Sequence, residues 1–141
     1  MMMAYNVLIV DDSATMRALV RKVLKISGLD LGECFEGANG LEALEILKEN
    51  WIDLVLSDLH MPEMDGAALV KALRQNNLWQ TIPVFLITTE GRQEVLAPFL
   101  ENGVQAYIRK PFRPEDIKEK LQSILGEAWV PHAGELEGCD F

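Results

Sequence analysis

Asp53-Leu54-Val55-Leu56-Ser57-Asp58-Leu59-His60-Met61-Pro62-Glu63-Met64-Asp65-Gly66 is the stretch on which the fold turns. Ile52 to Ser57 is an almost unbroken apolar run, short for a helix and closed by the acid Asp58. A continuous run, rather than an alternating one, suits a strand covered on both faces, as in a parallel sheet. Met61-Pro62 and Asp65-Gly66 then read as a turn. Helical spacing resumes at once: Gly66 to Asn76 carries Leu69, Val70 and Leu73.

The same figure repeats on either side. Tyr5 to Val10 is an apolar run ending at Asp11-Asp12, and Ala14 to Ser27 follows with Met16, Leu19, Val20, Val23, Leu24 and Ile26 at spacings of three and four. Ser13 is placed to cap that helix and Gly28 to stop it. Gly32 to Phe35 is a weaker run, suited to an edge strand, before a helix over Asn39 to Asn50. Towards the C-terminus, Val84 to Ile87 ends at Thr88-Thr89 and precedes a helix over Glu90 to Asn102. Pro98 lies inside that helix and predicts a kink, a frayed start or a late start. Ala106 to Ile108 ends at Arg109-Lys110-Pro111, and Pro114 to Leu125 is the last helix. Five strand-helix units predict an α/β fold, a doubly wound five-stranded open parallel sheet with helices on both faces. Residues 127–141 lose the periodicity, so the expected organisation is one domain over 1–126 and an acidic, flexible C-terminal tail.

Composition narrows the function. The chain has 141 residues, a formal charge of −9 and a pI near 4.7, which argues against a nucleic-acid surface built from clustered Lys and Arg. No signal peptide precedes the first strand and no apolar run approaches a membrane span, so a cytoplasmic protein without membrane contact is expected. Cys34 and Cys139 form no metal-type pair, and a disulfide between them is not expected.

In open α/β sheets, ligands bind at the carboxyl ends of the strands. The polar residues just past the strands are Asp11 and Asp12, Asp58, Thr88, and Lys110. Each has a bland reading alone: a loop or cap aspartate, a strand-end aspartate, an edge threonine, a solvated lysine. Their joint occurrence at four strand ends is what chance does not readily produce. Three carboxylates brought together repel and must protonate or recruit a cation. An oxygen-only ligand set favours a hard ion such as Mg²⁺ or Mn²⁺. A cation, an ammonium group and a hydroxyl around one carboxylate make a pocket for a phosphoryl group, with Asp58 as nucleophile.

At these residues the sequence resembles the receiver domain of two-component response regulators. The matching pieces are Val7 to Ser13, Asp53 to Gly66, Pro83 to Thr88, and Lys110-Pro111-Phe112, within about residues 4–126. The resemblance is to the stand-alone chemotaxis type, so no second domain is expected. It implies a flavodoxin-like sheet of strand order 2-1-3-4-5. It implies that Asp58 is the phosphoacceptor, that Asp12 and Asp58 ligate Mg²⁺, and that Asp11 acts largely through metal-bound water. It further implies that the backbone carbonyl of His60 is a metal ligand, that Lys110 contacts the phosphoryl group, and that Thr88 and Tyr107 are the switch pair. The implied partners are a sensor histidine kinase and a downstream protein, the protein being a monomer or a transient homodimer. The implied output surface is the fourth helix, fifth strand and fifth helix.

Two positions depart from the common pattern. Thr89 stands where a smaller residue is usual and is expected to crowd Asp58 or restrict Tyr107. His60 flanks the path of attacking water: its bland reading is a solvated side chain, and the sharper one is that it tunes aspartyl-phosphate lifetime. Two rival classes remain. A phosphatase or phosphotransferase of another α/β family would be expected to show Asp-x-Asp after the first strand, where this chain has Asp11-Asp12-Ser13. A degenerate receiver would bind a partner without being phosphorylated, yet all five site positions here are filled.

Overall fold

The computed structural model describes residues 4–125. Its elements run β1 (Tyr5–Val10), α1 (Ala14–Ile26), β2 (Leu31–Gly37), α2 (Gly40–Glu49), β3 (Leu54–Ser57), α3 (Gly66–Arg74), β4 (Val84–Thr88), α4 (Gln93–Glu101), β5 (Ala106–Arg109) and α5 (Pro114–Leu125). The five strands form one sheet in the order β2-β1-β3-β4-β5, every pairing parallel.

The continuous apolar runs are explained by the two-residue period of a strand, which sends successive side chains to opposite faces. Val7, Ile9, Leu54, Leu56, Phe85, Ile87, Ala106 and Ile108 enter one core with Val20, Val23 and Leu24 of α1 and Ile117 and Leu121 of α5. The intervening Leu8, Val10, Val55, Val84 and Leu86 enter the other, with Ala43 and Leu47 of α2, Leu69, Val70 and Leu73 of α3, and Leu96 of α4. Both faces are thus covered, so neither set of side chains tolerates a polar substitute. Burying each Leu or Phe contributes roughly 1.5–3 kcal/mol.

Helix starts follow the side chains that cap them. Ser13 accepts from the Met16 amide, Asn39 from Glu42 and Asp65 from Ala68. α4 is the exception, with no side-chain cap at Arg92 and Pro98 inside it. It begins at Gln93, three residues later than the periodicity suggests. The amides ahead of it are already taken: Thr88 Oγ1 accepts from Glu90 N–H at 3.2 Å and Glu90 Oε2 from Arg92 N–H at 3.1 Å. Such local side-chain bonds compete with helix formation. The weak second run is a full strand, Leu31–Gly37, and lies at the sheet edge beside β1. Cys34 is a free thiol, and Cys139 and the expected tail over 127–141 lie outside the described residues. None of the helices in the described residues is long and apolar enough to cross a membrane.

Candidate functional site

Parallel register sets the site. Val10 lies opposite Ser57, so β1 and β3 end together, while β4 runs two residues past Leu86, the partner of Ser57, to Thr88, which pairs with Arg109 at the end of β5. The next residues are anchored across the gap: Asp58 N–H donates to the Val10 carbonyl at 2.8 Å and Asp11 N–H to the Gly37 carbonyl at 3.0 Å. Each of these carboxylates then divides its oxygens. Asp11 Oδ1 accepts from Ser13 N–H at 2.9 Å and Asp58 Oδ1 from Leu59 N–H at 2.7 Å, holding their own loops. Their Oδ2 atoms face one ammonium group, Lys110 Nζ, at 2.8 and 3.1 Å. Lys110 is itself pinned by its amide to the Thr88 carbonyl at 2.8 Å and precedes a cis peptide bond to Pro111. Burial presses the Lys110 ammonium toward the neutral form, but the bonds to Asp11 and Asp58 and their charges outweigh it and raise its pKa above the ordinary 10.5.

Asp12 completes the cluster. Asp11, Asp12 and Asp58 each offer an oxygen within 4.8 Å of the others. At that separation each carboxylate pair repels by about 3 kcal/mol at an effective dielectric near 20. Three acids against one lysine leave a net charge of −2 in a site where Asp11 is buried and Asp12 exposed. Such an oxygen-only set could hold a hard divalent cation.

The other expected residues sit around this core. Thr88 is fully buried, and among the described residues its hydroxyl only accepts, from Glu90 N–H, which leaves its own hydrogen free to donate. Tyr107 lies further along β5, and its hydroxyl accepts from Gln93 Nε2 at 3.1 Å, at the first residue of α4. The His60 side chain leans toward Glu90, with Nε2 3.6 Å from Oε1. Thr89 is exposed.

Two features were not singled out from sequence. One is the guanidinium of Arg17, which reaches the Asp11 carbonyl. The other is Glu90, a buried carboxylate gripped by Arg92 through Nε and Nη2, both at 2.9 Å. That grip, with the Arg92 amide and a lesser contact with His60, lowers the Glu90 pKa from 4.5 to about 2. A depressed carboxyl pKa stabilises the fold above the unfolded value and ceases to do so as pH falls through the folded one. The stability gap between wild type and Arg92→Ala should therefore hold steady down to about pH 5 and close as pH falls toward about 2, read from urea midpoints.

Gly66 positions the loop that carries Asp58. Its amide donates to the Leu59 carbonyl at 2.9 Å. A methyl group there would run into the Asp58 carbonyl and lie 2.9 Å from Leu59 Cα. Both obstacles are backbone and cannot swing aside. Gly66→Ala should cost about 1–3 kcal/mol in thermal unfolding, and it should displace Asp58 rather than merely loosen α3.

The family described as the response regulator receiver domain matches residues 7–122. A protein of Campylobacter jejuni named as a chemotaxis protein CheY homolog is 39% identical over 122 residues, covering 86% of this chain and 92% of that one. Chemotaxis protein CheY1 of Helicobacter pylori is 43% identical over 122 residues, covering 86% and 97%. The solved structure of the chemotaxis response regulator CheY4 of Vibrio cholerae superposes with a TM-score of 0.76 at 33% identity, covering 86% of this chain and 98% of that one. Strand order, the acid cluster at the sheet edge and these likenesses converge, and the chain belongs to the response regulator receiver domain family.

Proposed function

We propose that this protein is a phosphorylation switch in which Asp58 accepts a phosphoryl group from a phosphohistidine of a sensor histidine kinase. The observation that carries this reading is the single ammonium group of Lys110 shared by Asp58 Oδ2 and Asp11 Oδ2, with Asp12 alongside. The residues fit Mg²⁺, or Mn²⁺ in its place: Asp11, Asp12 and Asp58 would supply the carboxylates, and the family resemblance assigns the His60 carbonyl as a further oxygen. When bound, the cation neutralises charge on the phosphoryl oxygens.

In the proposed reaction the Asp58 carboxylate attacks phosphorus in line. An O–P bond forms, the P–N bond to the donor imidazole breaks, and the imidazole leaves with the electron pair. Lys110 presents its ammonium to the phosphoryl oxygens, where charge is spread in the transition state. Water later cleaves the acyl phosphate and resets the switch, so the only chemistry is the protein's own phosphorylation and dephosphorylation. The attached group brings close to two negative charges and three acceptor oxygens. Thr88, with a hydroxyl hydrogen to give, turns toward them. That movement releases Glu90 N–H and opens the space into which Tyr107 rotates. Because Tyr107 is tied to Gln93, its rotation breaks a bond to the start of α4. α4 is poorly capped and contains Pro98, which makes it the helix most easily shifted. The α4-β5-α5 surface is thus the output face, read by a downstream protein, with the switch working as a monomer or transient homodimer in the cytoplasm.

The relatives named above are chemotaxis proteins, so a chemotaxis kinase is the first donor to try. The direct test is intact-mass measurement after exposure to a small acyl phosphate with Mg²⁺. One added phosphoryl group is expected, and omission of Mg²⁺ should suppress it.

A further inference from the structure

We propose that Arg17, braced by Glu36, is a positioning residue for the cation-binding carboxylates. Arg17 stands on the first turn of α1, its amide bonded to the Ser13 carbonyl at 3.0 Å. Its Nη1 donates to the main-chain carbonyl of Asp11 at 2.6 Å and its Nε to Glu36 Oε1 at 3.0 Å. Glu36 lies on β2 in register with Ile9, and its second oxygen takes Arg21 Nη2 at 2.7 Å. Arg21 in turn donates to the Cys34 carbonyl at 2.8 Å. A carboxylate that bridges two guanidinium groups, one on each oxygen, restrains both.

The carbonyl of Asp11 matters because of what shares its plane. The Asp11–Asp12 peptide is planar, so fixing its oxygen fixes the direction in which the chain leaves toward Asp12. Asp11 itself has other anchors, through its amide, Ser13 and Lys110. Asp12 makes no hydrogen bond among the described residues and is exposed, so its carboxylate is aimed by the backbone alone. Arg17 therefore acts on the metal ligand with the least support of its own. Its charge opposes a neighbouring cation, and Glu36 offsets that charge where it arises.

The two possible roles of Arg17 have opposite signs. A bare positive charge beside a divalent site weakens cation binding, so its removal would tighten binding. A positioning residue strengthens binding, so its removal weakens it. This rests on the cation reading given above. Mg²⁺ affinity of the full chain, measured by calorimetric titration for wild type, Arg17→Met, Arg17→Lys and Glu36→Gln, separates them. Loss of a partner that orients a ligand typically costs about 10–100-fold in metal affinity, and a drop in that range is expected for Arg17→Met. Arg17→Lys should fall nearly as far, since an ammonium lacks the fork that spans two acceptors. Glu36→Gln should also weaken binding, by releasing the brace and leaving the charge. Urea midpoints taken alongside identify any unfolded variant, and Arg17→Lys serves if Arg17→Met does not fold. Unchanged or tighter binding in folded Arg17 variants would overturn the proposal. A wild type that binds no Mg²⁺ would instead overturn the cation reading beneath it.

Discussion

Asp58→Ala should abolish phosphoryl uptake from a small acyl phosphate, leaving the intact mass unchanged under conditions in which wild type gains one phosphoryl group. The expectation is for loss, not slowing, because no neighbour can substitute. Asp11 Oδ1 is committed to Ser13 N–H and its Oδ2 to Lys110. Asp12 stands exposed at the rim, away from the ammonium group that two other acids share. Asp58 alone combines contact with Lys110 and a place at the end of the central strand beside Thr88. Stability should change little, because two effects oppose each other. Removing one carboxylate relieves repulsion within the cluster, and it deprives Lys110 of one partner. A gain of equal size on Asp58→Ala would remove the basis of the proposed switch and point to phosphorylation elsewhere on the chain.

Lys110→Ala should slow uptake by about 10²–10³-fold, the usual consequence of deleting one positioned donor to a transition-state oxygen. It should also lower the stability of the cation-free protein. The side chains of Lys110, Asp11 and Asp58 are only 11%, 6% and 12% exposed. Removing one partner of a fully buried pair costs about 3–5 kcal/mol. The open rim at Asp12 admits water here, so a loss of about 1–3 kcal/mol is expected, visible in thermal unfolding with chelator present. Added Mg²⁺ should restore more stability to the variant than to wild type, because a site of net charge −3 in place of −2 binds a cation more strongly. The pH dependence has a definite sign. Lys110 has a raised pKa, so its contribution is complete below the unfolded value of 10.5 and disappears as pH climbs through the folded value. The stability gap between wild type and variant should accordingly be flat through neutral pH and narrow only in strong alkali.

The extent to which these features were legible differs by kind of interaction. Strand runs at Tyr5–Val10 and Leu54–Ser57 were plain because a strand buried on both faces must be apolar throughout. The cap at Ser13 was legible because its partner amide lies three residues away, and the structure adds caps of the same local kind at Asn39 and Asp65. The late start of α4, one of the three outcomes expected from Pro98, is set locally by the Thr88–Glu90–Arg92 bonds, which in sequence look like ordinary helix-compatible residues. The full length of β2 was missed because Glu33 and Glu36 interrupt its pattern at an edge where one side needs no apolar cover. Glu90 falls inside the helix that the periodicity predicts over Glu90 to Asn102, and nothing in the sequence marks Arg17 apart from the other charged residues of α1.

The sequence by itself determined the order of strands and helices and the set of acids, threonine and lysine at the strand ends. Those depend on burial and local hydrogen bonding, which leave a periodic trace within a few residues. Only the tertiary structure decided that Lys110 Nζ would lie between Asp11 and Asp58, residues 99 and 52 positions away, and that Arg17 would bridge Asp11 to Glu36. Such contacts arise from strand register and from the direction in which each loop leaves the sheet. Neither leaves a periodic mark in the chain, since a charged side chain at a loop reads the same whether its partner is water or another residue.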